Sequence, residues 1–278
     1  MAELALGLHG RGRPYLHHRI SGFKICPLQS NSMPLKQSEA IVLRSYPMRE
    51  ADLLVTLFTR TDGKLRGVAR SAMKSKKRFG GALEPLTLVR VYWEERERQE
   101  LTRIDSCDVL HSPLTDTVDY HRAVALSYVA EAVDQLLPDR EVNDAIFRLT
   151  AAVLMNLSVD NIWMPLTYFD LWMVRLTGLL PEMHACTQCG NVLNGSKAFY
   201  HPLEDGLMCA EHKRLASAEM SAESRATAAE IFRSPLDAFA GERWPRQRCA
   251  DLRKFLTQRI ERQLEKKLVS GAMLEKLD

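Results

Sequence analysis

Four residues offer the clearest chemistry: Cys186, Cys189, Cys209 and His212, spaced as Cys-x2-Cys-x19-Cys-x2-His. Thiolates and imidazoles are the usual ligands of structural zinc, which takes four of them in a tetrahedron at about 2.0–2.3 Å. A two-residue gap lets both side chains of a pair reach one ion from a tight turn, and Gly190 directly after Cys189 suits such a turn. The insert between the pairs carries two turn dipeptides, Asn194–Gly195 and Asp205–Gly206, so it has hairpin character. Two knuckles closed over a hairpin make a zinc-ribbon-like module at about residues 184–214. With four protein ligands the site would be closed, so the expected ion is a structural Zn(2+), one per chain. His184 and His201 stand near enough to compete with His212 as the fourth ligand. The plainer reading is free buried cysteines, but it needs two such pairs to arise by chance among six cysteines. A thioredoxin-like redox pair opens a helix after a strand, whereas this pair follows a helix and a Pro-stopped turn.

Catalytic chemistry finds no support. A catalytic zinc needs an open position and a general base. The chain has no HExxH, and no His-x-Glu precedes the cysteine pair as zinc deaminases require. Cys26, Cys107 and Cys249 lack a neighbouring His/Asp pattern that would mark a nucleophile. The stretch RFGGALEP has neither the lysine nor the spacing of a phosphate-binding loop. The chain reads as a binding protein rather than an enzyme, with no small-molecule substrate.

A second group of residues could bind phosphates. Lys64, Arg66 and Arg70 fall on a strand-like run, and Lys74, Lys76, Lys77 and Arg78 fall on a Ser/Gly-flanked loop. A flexible cationic loop can track a nucleic-acid backbone with salt-dependent affinity. Phe79, beside the run, could stack on a base. The last helical segment is also basic, but Glu261, Glu265 and Asp251 offer it intrahelical partners.

These residues need elements to position them. The chain has 278 residues and a net charge of only +3, but the charge is segregated. Residues 34–112 carry 15 Lys/Arg against 11 Asp/Glu, while residues 113–183 carry 4 against 10. Residues 1–33 show no helical or strand period and are expected to be a disordered extension, with Met33 an alternative start. No apolar run is long enough to span a bilayer, and the N-terminus lacks signal-peptide features, so a cytoplasmic location is expected. Residues 34–112 hold five short β-rich runs, which suit a small barrel or sandwich. Residues 113–278 turn helical, with three helices before the cysteine region and two after it. The last of these is expected to run from Cys249 to about Gly271, with Leu252, Leu256, Ile260, Leu264 and Leu268 on one stripe. The expected fold is therefore α+β and multidomain: a five-stranded β-barrel, then an all-α domain with the zinc module inserted.

The segment EAIVLRSYPMREADLLVTLFTRTDGKLRGVARSAMKSKKRFGGALEPL resembles the N-terminal domain of the RecO family of recombination mediators. The likeness lies in E-A-I-V-L, E-x-D-x-L-V, L-F-T, G-K and K-S-K-K-R before L-x-P, taken in that order. It continues through helices interrupted by the cysteine knuckles, and covers the chain from about Met33 onward. The resemblance implies that the barrel is an OB fold and that the function is DNA repair by homologous recombination. It further implies binding of single- and double-stranded DNA, annealing of complementary strands, and loading of RecA with RecR on DNA coated by single-strand-binding protein (SSB). It places DNA contacts on Lys74, Lys76, Lys77 and Arg78, and zinc on Cys186, Cys189 and Cys209, with His212 where the family commonly has cysteine. It implies a site for the SSB C-terminal tail in the helical domain, and action at the nucleoid. Arg122, Arg148 and Arg175, basic residues on the helices of an acidic segment, are the candidates for that tail. A zinc-ribbon RNA-binding or transcription module would share these charges and is the alternative.

Overall fold

Strand β1 (Lys36–Pro47) buries four successive residues, Ala40 to Leu43, where a strand with one wet face would bury every second one. Both of its faces are covered. Ala40 and Val42 point into a barrel interior filled by Val55, Leu57, Val91 and Trp93. Ile41 and Leu43 point outward, into a core shared with the helices. The computed structural model describes residues 35–95, 100–193 and 197–277; the expected N-terminal extension and the Asn194–Gly195 turn lie outside them.

Strands β2 (Leu53–Thr59), β3 (Gly63–Ala69), β4 (Leu88–Glu94) and β5 (Thr102–His111) complete a closed barrel in the order β1-β2-β3-β5-β4. β1 pairs with β4 to close it, and β3 runs parallel to β5. A Cβ at Gly67 would stand 2.6 Å from Thr102 Oγ1 and 2.8 Å from Ile104 Cγ1, so glycine lets the parallel strand approach. This is the OB-like barrel expected. The long β3–β4 connection folds back over one end, burying Phe79, Ala82 and Leu83 in the barrel core.

Helices α1 (Tyr120–Leu136), α2 (Asp144–Asn156) and α3 (Trp163–Leu176) follow. Asp119 and Asn143 cap the first two, accepting from the N–H groups of Arg122 (2.8 Å) and Ile146 (3.0 Å). α3 is central and buries ten residues, including Asp170. After the cysteine region come α4 (Ala222–Ile231), α5 (Ala250–Leu264) and α6 (Val269–Leu274). The single long C-terminal helix expected from the sequence is thus two helices. Glu265 takes a left-handed conformation (φ 53°) and ends α5. Leu268 is buried, and the carboxylate of Glu131 on α1 accepts from Val269 N–H (3.0 Å) and Ser270 N–H (2.8 Å). These bonds satisfy the start of α6 and turn it onto α1.

Barrel and helices meet along a polar seam. Arg140 N–H donates to Lys64 O (2.8 Å), Arg60 pairs with Asp144 (2.6 Å) and Arg44 with Asp134 (2.7 Å). Gly63 has φ +67°, and a Cβ there would collide with the Glu141 backbone, so the α1–α2 loop can lie directly on the β2–β3 turn. Phe58 and Phe147 meet edge to face across the seam, with centroids 5.6 Å apart.

Candidate metal centre and nucleic-acid interface

Cys186 and Cys189 sit on one tight turn, closed by Gly190 N–H donating to Cys186 O (2.8 Å). Gly190 has φ +71°, the left-handed position that glycine adopts without strain. The second knuckle closes the same way, His212 N–H donating to Cys209 O (3.2 Å). Thr187 N–H donates to Leu207 O (2.9 Å), which stitches the two knuckles together. The ligand atoms of Cys186, Cys189, Cys209 and His212 all lie within 4.8 Å of one another. Cys189 Sγ and Cys209 Sγ are 4.0 Å apart, close to the ~3.8 Å edge of a tetrahedral thiolate–zinc site. Neither competing histidine joins them. His201 Nδ1 accepts from Leu203 N–H (3.2 Å), and His184 lines a separate cavity with Arg225 and Phe232. The four residues could therefore hold a metal ion.

Backbone N–H groups favour the thiolate at two of the three cysteines. Burial acts to raise the Cys186 thiol, but the N–H groups of Cys209, Cys189 and Gln188 outweigh it and hold the thiol below its ordinary value. Cys209 is lowered against its burial by the N–H groups of His212 and Glu211. The Asn191 N–H acts to lower Cys189, yet burial and the neighbouring Cys186 and Cys209 leave it raised. Thiolate is the form a metal binds.

The module around the knuckles is tied into the helices. Strand β6 (Ala198–Tyr200) pairs with β7 (Ala218–Met220) and bridges to Met208. Leu193, Tyr200, Leu207 and Met220 belong to the same hydrophobic core as α1 to α5. The basic face of α5 docks here rather than pairing within its own helix, which corrects the sequence expectation. Arg262 pairs with Asp205 (2.9 Å), and Arg259 donates to Glu204 O (3.3 Å). Asp251 accepts from Ser221 N–H (2.7 Å), not from an arginine of α5.

The basic stretch divides into two sets. Lys64 is not available to a ligand: its ammonium is buried against Asp134 O (2.6 Å) and Asp139 Oδ1 (3.2 Å) in the seam. Phe79 is no stacking platform, because it is 3% exposed and plugs the barrel. Arg78 lies over the Phe79 ring and donates to Arg70 O (2.7 Å) and Ser75 Oγ (3.2 Å), so it braces the loop. Arg66, Arg70, Lys74, Lys76 and Lys77 are exposed. Among the described barrel residues, Lys36, Arg44, Arg60, Lys64 and Arg103 are ion-paired. Among the described residues, these five exposed cations, together with Arg49 and with Arg90 on β4, have no acidic partner.

The family models agree with this division of the chain. Residues 33–113 match the model for the recombination protein O N terminal, and residues 118–272 match that for its C terminal. The chain belongs to the recombination protein O (RecO) family. It is 68% identical over 244 residues to the DNA repair protein RecO of Koribacter versatilis, covering 88% of this chain and 100% of that relative. The DNA repair protein RecO of Bifidobacterium adolescentis is 32% identical over 184 residues, covering 64% and 74%. That of Anaeromyxobacter sp. strain K is 34% identical over 174 residues, covering 61% and 67%. RecO membership assigns the chain a role in DNA repair and recombination. No helix among the described residues is long and apolar enough to cross a membrane.

Of the three arginines considered for an SSB tail in this RecO chain, Arg122 is excluded. It is 2% exposed and its guanidinium is consumed by Leu157 O, Thr117 O and Asp116. Arg148 pairs with Asp144 at 2.9 Å on its own helix. Arg175 is exposed and lies on the rings of Trp172 (5.2 Å) and Phe232 (4.4 Å), with no acidic partner among the described residues. Sequence reasoning missed Arg49. Glu50 and Asp52 follow it directly, so the local charge cancels and hides an unpaired cation.

Proposed function

We propose that the chain binds single- and double-stranded DNA through Arg66, Arg70, Lys74, Lys76 and Lys77, anneals complementary strands, and helps load RecA with RecR on SSB-coated DNA. The observation that supports this is the pairing pattern: the cations along the seam, with Lys36 and Arg103, have carboxylates, while among the described residues this run, like Arg49 and Arg90, has none. Unpaired cations are free to neutralise phosphates, which holds two strands close and lowers their mutual repulsion. The mechanism is non-covalent and takes place in the cytoplasm, at the nucleoid. Arg175, a flat cation on two aromatic rings, is suited to the carboxylates and apolar side chains of an SSB tail.

Replacing Lys74, Lys76 and Lys77 with alanine tests the DNA assignment. Removing three phosphate contacts should flatten the salt dependence of single-strand binding by about two units of log–log slope, with the fold intact. Unchanged affinity and slope would sink the assignment. Annealing of complementary strands coated with SSB separates this function from an RNA-binding or transcription module.

Cys186, Cys189, Cys209 and His212 fit a structural Zn(2+), which would supply a crosslink and no reactive position. Metal analysis should find one zinc per chain, and Cys189→Ala should lose it and lower the melting temperature. Zinc retained in full by that variant would refute the site.

A further inference from the structure

Cations hold phosphates, and Phe79, the aromatic ring that follows this run in sequence, is buried, so contact with bases falls to other exposed side chains. We infer that Met48 and Met73 supply it, and that this end of the barrel takes unpaired strand in preference to closed duplex; the inference rests on the DNA-binding reading above. The two methionines lie on loops distant in sequence but tied together. Met73 N–H donates to Ala51 O (3.1 Å), and Ser71 N–H donates to Asp52 Oδ1 (2.8 Å). Met48 N–H closes its own turn on Asp52 O (3.0 Å). Met48 is 44% exposed and Met73 59% exposed.

Charge decides what they face. Segments 48–52 and 70–78 hold six Lys/Arg against two acids. Asp52 is occupied by the Ser71 N–H, so Glu50 is the remaining acid of the turn. The complementary occupant is a polyanion with apolar rings to offer, which describes single-stranded DNA. A thioether is polarizable and flexible and packs well on aromatic rings. Base faces are open in a single strand and covered by stacking in a duplex. The β1–β2 loop that carries Met48 is one of the loops through which OB barrels bind oligonucleotides.

The test compares the full chain with M48S/M73S, M48L/M73L and K74A/K76A/K77A by fluorescence anisotropy. The probes are a labelled oligothymidine and a blunt duplex of equal length, each over a salt series. The serine pair should weaken oligothymidine binding roughly tenfold and leave duplex affinity and salt slope unchanged. The leucine pair keeps the apolar bulk and should stay within about twofold of the parent. Equal losses on both probes overturn the inference. So does an unchanged serine pair alongside a weakened lysine variant, which leaves the DNA face standing. If the lysine variant retains full binding to both probes, the DNA face is wrong and the inference falls with it.

Discussion

Two buried ionisable groups, Lys64 and Asp170, show what burial does to the polar residues of this chain. The Lys64 ammonium joins barrel to helices through Asp134 and Asp139, and Asp134 is itself only 10% exposed at its side chain. Asp139 is 54% exposed, so its share of the interaction is screened by water. Lys64→Ala should cost about 2 kcal/mol of stability, measured by denaturant unfolding, and leave the salt slope of DNA binding unchanged. A flatter slope would return Lys64 to the DNA face. Asp170 is buried beneath Tyr128, whose hydroxyl donates to it at 2.8 Å. Burial pushes its carboxyl up to about 7, against the pull of Tyr128 and Arg253. Arg246 and Lys254 line the same cavity. The unfolded carboxyl loses its proton near pH 4, while the folded one keeps it to about 7. The stability this group contributes is therefore complete below about pH 4 and lost as pH rises to about 7. Asp170→Asn should flatten stability between pH 5 and 7.5 relative to the parent. Equal slopes would mean that Arg253 keeps Asp170 ionised.

Elements were more legible than contacts. Apolar runs with turn residues between them gave the five strands, and a helical period gave α1 to α4. The cysteine spacing gave the candidate metal ligands, though only geometry separated His212 from His184 and His201. What stayed hidden depends on partners far along the chain. Lys64 meets Asp134 seventy residues later, and Arg259 meets Glu204 fifty-five residues earlier. The break between α5 and α6 was hidden too, because EKKL reads as good helix while its cause is Glu131 on α1. Glu265 carries a left-handed strain that glycine would not. Glu265→Gly should raise stability by about 0.5–1 kcal/mol, seen as a higher melting temperature with an unchanged helical signal. A lower melting temperature would show that the Glu265 side chain holds α6 in place.

Across the whole molecule, the barrel contributes to two cores, an interior of its own and one shared with the helices through Ile41, Leu43 and Phe58. The module that carries the two cysteine knuckles belongs to that shared core as well. The cation cluster on the barrel end has one further consequence. Arg49, Arg70, Lys74, Lys76 and Lys77 repel one another, and among the described residues none of them is ion-paired, so Glu50 and Asp52 offset only part of that charge. Mobile anions screen the remainder, so moderate added salt should raise the melting temperature while it weakens DNA binding. An oligonucleotide would be a far better counterion than chloride, and should protect the fold most where salt protects it least. A thermal-shift grid of salt against oligothymidine reads both trends at once. Parallel trends would mean that this charge is already balanced within the folded chain.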